Sequence, residues 1–222
     1  IKEISDFENK IAENKWSKKE ILGHLIDSGI NNLQRFTEIQ FLEKPYKIRP
    51  YNQDELVKAM PKILERFPDA ILLLVGEGPI KQMLFNSAKQ LGVLTKVVFA
   101  GRVSHQELPD YISLGEIFAM PVRSRFSGLE VEGLGIVYLE ASACGLPVVV
   151  GNSGGAVDAV LDKVTGVLVD GSNADEIAEK ICELLANPQA AKQMGQAGRG
   201  WVIENWQLSS WSKKFNQLLI GN

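Results

Sequence analysis

The sequence predicts an α/β fold over residues 54–222, a parallel sheet with helices on both faces, preceded by an N-terminal α-helical segment at 1–51. Short, wholly apolar runs alternate with amphipathic stretches, the pattern of parallel strands buried on both sides. Glycine-rich loops follow those runs at Gly76–Gly78, Gly101, Gly133–Gly135 and Gly151–Gly155. That is the carboxyl end of the strands, where open α/β sheets hold their ligands. The first 51 residues show helix periodicity and no strand pattern.

In the N-terminal segment, Ser17 and Glu20 form a capping box. Leu22, Leu25, Ile26, Ile30, Leu33, Phe36 and Ile39 then recur on one helix face, and Pro45 and Pro50 end the pattern. From Asp54 the elements follow in order. A helix covers Leu56–Phe67, and a strand Ile71–Val75 closes on Gly76-Glu77-Gly78-Pro79. A helix runs on to Leu91, and strand Val97–Ala100 ends at Gly101. A helix over His105–Leu114 leads to strand Ile117–Met120. The helix Gly135–Cys144 stops on Gly145, a glycine suited to the left-handed position after a helix, and Pro147 opens strand Val148–Val150. Val167–Val169 is the last strand, followed by helices at Ala174–Leu185 and from Pro188 onward.

Composition narrows the class. Of 222 residues, 45% are hydrophobic, enough for a packed core, and the net charge of −3 lacks the basic excess of a nucleic-acid groove. Cys144 and Cys182 read as reduced core thiols of a cytoplasmic protein rather than a disulfide framework. No apolar run approaches the ~20 residues that span a bilayer. The chain begins at Ile1, so it reads as starting inside a longer one.

The chemistry concentrates at Glu132-Gly133-Leu134-Gly135-Ile136-Val137-Tyr138-Leu139-Glu140. The two glycines open a helix whose free amides and positive dipole end suit a diphosphate, with no side chain to hold the phosphates off the main chain. Glu132 lies before that helix and Glu140 about five residues inside it, at about 1.5 Å per residue. Two acceptor carboxylates flanking an anion site fit two separate diols, such as those of a sugar and a ribose.

This run, continued by Ala143-Cys144-Gly145-Leu146-Pro147-Val148, resembles the E-x7-E signature of family 4 retaining glycosyltransferases. Leu74-Val75-Gly76-Glu77-Gly78-Pro79, Phe99-Ala100-Gly101-Arg102-Val103 and Gly151-Asn152-Ser153-Gly154-Gly155 match that family in the same order. The approach from Pro121 to Glu132 is most similar to the phosphatidylinositol mannosyltransferase branch. The resemblance implies the Rossmann-like C-terminal half of a GT-B fold, transferring a sugar with retention and without a metal. Glu132 would be catalytic, holding the sugar and supporting an oxocarbenium-like transition state. Gly133, Leu134, Gly135, Ile136 and Val137 would bind the donor, with the Gly135 and Ile136 amides on the leaving diphosphate. Glu140 would take the ribose, while Gly76, Gly101, Arg102 and Val103 would frame the rest of the nucleotide. The expected donor is a nucleotide sugar, GDP-mannose first and a UDP-sugar second, and no cofactor is implied. The expected acceptor is a lipid or saccharide held by a separate N-terminal domain, the parent enzyme lying at the inner face of a membrane.

Two departures from the family pattern matter. The strand and G-R-L-x-x-x-K-G loop that precede the first helix are missing, and with them the Arg and Lys that grip the diphosphate. Lys47 and Arg49 are nearby cations without the spacing of replacements. Val157-Asp158 also stands where Pro-Glu is usual. Residues 1–51 instead resemble part of a DinB-like helical domain (Lys15-Trp16-Ser17, then Glu20 to Asp27), in which a histidine at the place of His24 can ligate a metal. The only other histidine, His105, lies in the other segment, so no metal site is expected. The reading is a chimera whose function is that of a glycosyltransferase, incomplete as it stands, with a nucleotide-sugar-binding module or a chimeric folding unit without catalysis as the alternatives. Trp201, Trp206 and Trp211 are expected to pack the last helices, and His105, Glu107 and Asp110 to form a polar helix start.

Overall fold

The computed structural model describes residues 54–124 and 132–220. The readings made on residues 1–51, including the DinB-like segment, His24, Lys47 and Arg49, lie outside that range. Helix α1 (Asp54–Arg66) leads to strand β1 (Leu72–Val75), helix α2 (Lys81–Gln90) and, after a short 3-10 turn, strand β2 (Val97–Gly101). Helix α3 (Leu108–Ser113) precedes β3 (Phe118–Met120), and helix α4 (Ile136–Ala143) precedes β4 (Val148–Gly151). A 3-10 segment, Gly154–Ala159, leads to β5 (Gly166–Val169), and helices α5 (Ala174–Ala186), α6 (Pro188–Asn205) and α7 (Leu208–Ile220) complete the order.

All described strand pairs are parallel, as predicted, and among the described residues they fall in two hydrogen-bonded groups, β1 with β2 and β3-β4-β5. Leu72 pairs with Val97, Phe118 with Val148, and Val148 with Gly166. Among the described residues no ladder joins the two groups. The strand that the family pattern puts ahead of α1 would fall in the undescribed residues. The two groups nevertheless share one apolar core. Leu56, Val57, Met60 and Ile63 of α1 pack in one cluster with Val97 of β2, Val149 of β4, Val169 of β5 and Ile177 of α5.

Strand β4 is buried at every residue. Val149 enters the cluster with α1, while Val148 and Val150 point to the other face, with Tyr138, Ala141, Ala156 and Val160. Side chains of a strand alternate, so both faces of this sheet are covered. Cys182 is buried and Cys144 half-buried, and both are free thiols. Burial raises the Cys182 thiol above its ordinary pKa.

Three boundaries differ from expectation for local reasons. Helix α3 starts at Leu108 because Ser104 and Glu107 lock the preceding turn: the Ser104 hydroxyl and amide donate to Glu107 Oε2 at 2.7 and 3.1 Å. Residues 154–159 form a 3-10 helix that no period announced. The C-terminal helix breaks at Trp206 and Gln207, where the expected tryptophan packing is found. Trp201 meets Trp206 edge-on at 5.7 Å, and Trp206 stacks on Trp211 at 5.6 Å.

Gly145 has the predicted left-handed conformation (φ +85°), and the Gly145 and Leu146 amides return to Ser142 and Ala141 carbonyls at 2.9 and 3.1 Å. Helix α6 crosses this corner at Gly195, where a Cβ would lie 2.0 Å from the Gly145 carbonyl oxygen. Gly195→Ala should therefore lower stability: an overpacking cost of about 1–3 kcal/mol exceeds the helix-propensity gain of about 0.5–1 kcal/mol. Gly200→Ala, five residues on in the same helix with nothing within 4 Å of its new methyl, should instead raise it. Thermal unfolding followed by circular dichroism tests both; equal shifts of the same sign would refute the close-crossing account.

Candidate functional site

The loops beyond β3, β4 and β5 meet main chain against main chain. A Cβ on Gly151 would lie 1.7 Å, and one on Gly171 2.1 Å, from the Val122 carbonyl oxygen, so this peptide fits only between glycines. A Cβ on Gly155 would lie 1.9 Å from the Gly133 carbonyl oxygen. The Gly155 amide donates to the Glu132 carbonyl at 2.9 Å, joining the two loops. Gly151 and Gly155, read from the sequence as glycines at the ligand end of the strands, thus let the loops approach.

Helix α4 begins inside this assembly. Its N-cap, Gly135, is left-handed (φ +70°, ψ +65°) and offers no side chain to the first-turn amides. Those amides, Ile136 and Val137 among them, are helix-start donors of the kind that bind anions. Ile136 is 65% exposed. Leu134, Val137, Glu132 and Glu140 are half-buried, Glu140 being the fifth residue of the helix. The Gly133 amide donates to Glu132 Oε1 at 3.1 Å, so the carboxylate lies over the glycine loop.

Tyr138 is the support beneath. It is fully buried, and its hydroxyl donates to the Met120 carbonyl at 2.6 Å, tying α4 to the end of β3. Its ring lies under Gly135, where a Cβ would come within 2.3 Å of Cε2, and meets Phe118 edge-on at 6.2 Å. Burial first, and the Glu132 carboxylate second, push the phenol far above its ordinary pKa. Tyr138 therefore stays a neutral donor.

The remaining predicted site residues form a second group beyond β1 and β2. The Gly76 amide donates to the Gly101 carbonyl at 2.7 Å, and Glu77 Oε1 lies 3.7 Å from where a Gly101 Cβ would stand. Arg102 is exposed and Val103 half-buried. Beside them Gly78, Pro79, Lys81, Gln82, Phe85 and Phe99 line an open groove of about 450 Å³. Among the described residues, no backbone hydrogen bond links this group to the loops around α4.

Several residues that hold the site went unread in the sequence. Arg123, in the loop after β3, has Nη1 3.7 Å from Oε1 of Glu55, a buried carboxylate that also pairs with Lys58 at 3.0 Å. Asp170, beyond β5, is held below the usual carboxylate range, chiefly by the Ser172 hydroxyl and amide and lastly by Arg123. Ser153 joins the loops through its hydroxyl. The only advance signal was its place in a family motif. Among the described residues, no cluster of His, Cys, Asp and Glu could hold a metal, and no helix is long and apolar enough to cross a membrane.

Parallel strands, glycine loops at their carboxyl ends and an E-x7-E run across an uncapped helix start define the class, and the family comparison agrees: the chain belongs to the family glycosyl transferases group 1, whose model matches residues 47–201. Among its relatives is a GDP-mannose-dependent alpha-(1-6)-phosphatidylinositol monomannoside mannosyltransferase of Mycolicibacterium smegmatis, 48% identical over 169 residues, or 76% of this chain and 44% of the relative. The protein of the same description in Mycobacterium tuberculosis is 45% identical over 170 residues, again 44% of the relative. The chain thus spans less than half the length of these curated relatives. In fold it is similar to HepE of Anabaena, solved with UDP and glucose, at a TM-score of 0.69 and 21% identity over 80% of this chain and 47% of that one. It is also similar to the C-terminal domain of a glycosyl transferase group 1 protein of Francisella tularensis, at a TM-score of 0.62 and 22% identity, covering 73% of this chain and 83% of that one.

Tyr138→Phe should cost about 1 kcal/mol, because the Met120 carbonyl keeps its second donor, the Val122 amide at 2.8 Å. Gly135→Ala should cost more, since it adds left-handed strain to an overlap with the Tyr138 ring. Urea denaturation of both variants checks the order; a smaller loss for Gly135→Ala would show that the ring does not support the loop.

Proposed function

We propose that residues 54–222 form the nucleotide-sugar-binding half of a retaining glycosyltransferase, and that the whole enzyme transfers mannose from GDP-mannose to a phosphatidylinositol-type lipid. The observation that supports this best is the uncapped start of α4, set between Glu132 and Glu140. A diphosphate at the Gly135 and Ile136 amides would leave with its negative charge stabilised where that charge develops. Glu132, beside the same glycines, would accept hydrogen bonds from the sugar hydroxyls and support the positive charge growing on the ring. Glu140, further along the helix, would accept from the ribose. Gly76, Gly101, Arg102 and Val103 would border the nucleotide from the second loop group.

The names of the relatives support GDP-mannose as donor and a lipid-linked inositol mannoside as acceptor. A UDP-sugar is the alternative donor. A second reading, binding without turnover, is favoured by the cations. The family's Arg and Lys loop has no counterpart in the sequence, and Arg123, in the loop after β3, is already paired with Glu55.

Calorimetric titration with GDP, GDP-mannose, UDP and UDP-glucose separates these outcomes. GDP and GDP-mannose should bind with Kd of about 1 mM or tighter. Glu140→Ala should weaken GDP about tenfold, the loss expected for hydrogen bonds to a charged acceptor. No binding of any nucleotide, or no effect of Glu140→Ala, would remove the donor-site assignment. Mannosyl transfer by the full chain to a lipid acceptor would then distinguish an enzyme from a binding module.

A further inference from the structure

Ser153 carries no role in the reading above, yet its hydroxyl sits where the site's loops converge. It is 2% exposed and lies in extended backbone just beyond β4. The Glu132 amide donates to Ser153 Oγ at 3.4 Å, and Ser124 Oγ lies 3.0 Å from the same oxygen. A serine oxygen has two acceptor positions and one proton. If it accepts from the Glu132 amide, its own proton is free for Ser124, so one buried hydroxyl serves both. Two residues further on, the Gly155 amide donates to the Glu132 carbonyl at 2.9 Å. The segment 153–155 therefore grips Glu132 on both sides of its Cα, by the amide and by the carbonyl.

We infer that Ser153 is a positioning residue for Glu132: its hydroxyl fixes the Glu132 main chain, and with it the point from which the carboxylate reaches a bound sugar. This rests on the donor-site reading above. Ser153 itself touches no donor group in that scheme, and Gly155 alone would leave the Glu132 peptide held at one end. The consequence is selective. Loss of the hydroxyl should loosen the carboxylate that meets the sugar, while the helix-start amides that meet the diphosphate stay in place under the Tyr138 support.

The test is the ratio of GDP-mannose to GDP affinity, measured by calorimetry on the full chain. Ser153→Ala should lower that ratio about tenfold while changing GDP affinity by less than about twofold. Ser153→Thr keeps the hydroxyl and tolerates extended backbone, so it should restore the ratio. Ser124→Ala should give a smaller loss, and the double variant with Ser153→Ala less than the product of the two, because the residues share one bond. A parallel fall for both ligands, with a lower melting temperature, would mark Ser153 as merely structural and overturn the inference. So would an unchanged ratio in Ser153→Ala, even where the parent chain binds both ligands well. If the parent chain binds neither ligand, the donor-site reading itself fails and the Ser153 role goes with it.

Discussion

Everything at the candidate site depends on backbone approaching backbone more closely than side chains permit. The Val122 carbonyl lies between Gly151 and Gly171, and the Gly133 carbonyl lies against Gly155. These contacts set where the loops after three parallel strands can run. They place the start of α4, and so the carboxylates before and within it. Tyr138 completes the arrangement from below, filling the space that Gly135 leaves and tying the helix to β3. A larger residue at Gly151 or Gly155 would displace a peptide group, not merely a flexible side-chain tip.

The same architecture separates the anchors of the fold from the groups of the site. Val149, Val169 and the apolar face of α1 lie in a core shared by both strand groups. The polar residues lie past the strand ends, outside that core. Chemistry can vary there without disturbing the sheet, the arrangement by which open α/β sheets host many ligands. Glu55 belongs to both worlds. It is buried at the head of α1, yet it pairs across to Arg123 on the β3 loop.

Much of this was legible in the residues themselves. The triple valine of β4, the stop at Gly145-Leu146-Pro147 and the Glu132–Glu140 spacing are local patterns, and the elements they announce are present. What escaped were relations between distant residues. Ser153 bonds to Ser124 and Glu132, 29 and 21 positions away, and no period records such a pair. Which described strands pair, β1 with β2 and β3-β4-β5, is likewise a relation between distant residues, whereas each strand alone reads as continuous and apolar. The 3-10 segment at 154–159 and the break at Trp206 were missed because glycines and aromatic contacts, rather than helix periodicity, decide them.

The left-handed Gly135 has a consequence for how such a pocket tolerates change. The donors that follow it at the helix start are peptide N–H bonds, which every residue but proline supplies alike. Proline at Ile136 is opposed by the conformation of Gly135 before it, far from the extended backbone that a following proline favours. Drift in the side chains of α4 therefore cannot easily delete the donors, and the exposed Ile136 is free to vary. On the proposed reading, point substitution would change which sugar or acceptor the site suits, while a preference for a negatively charged linkage would stay built into the main chain.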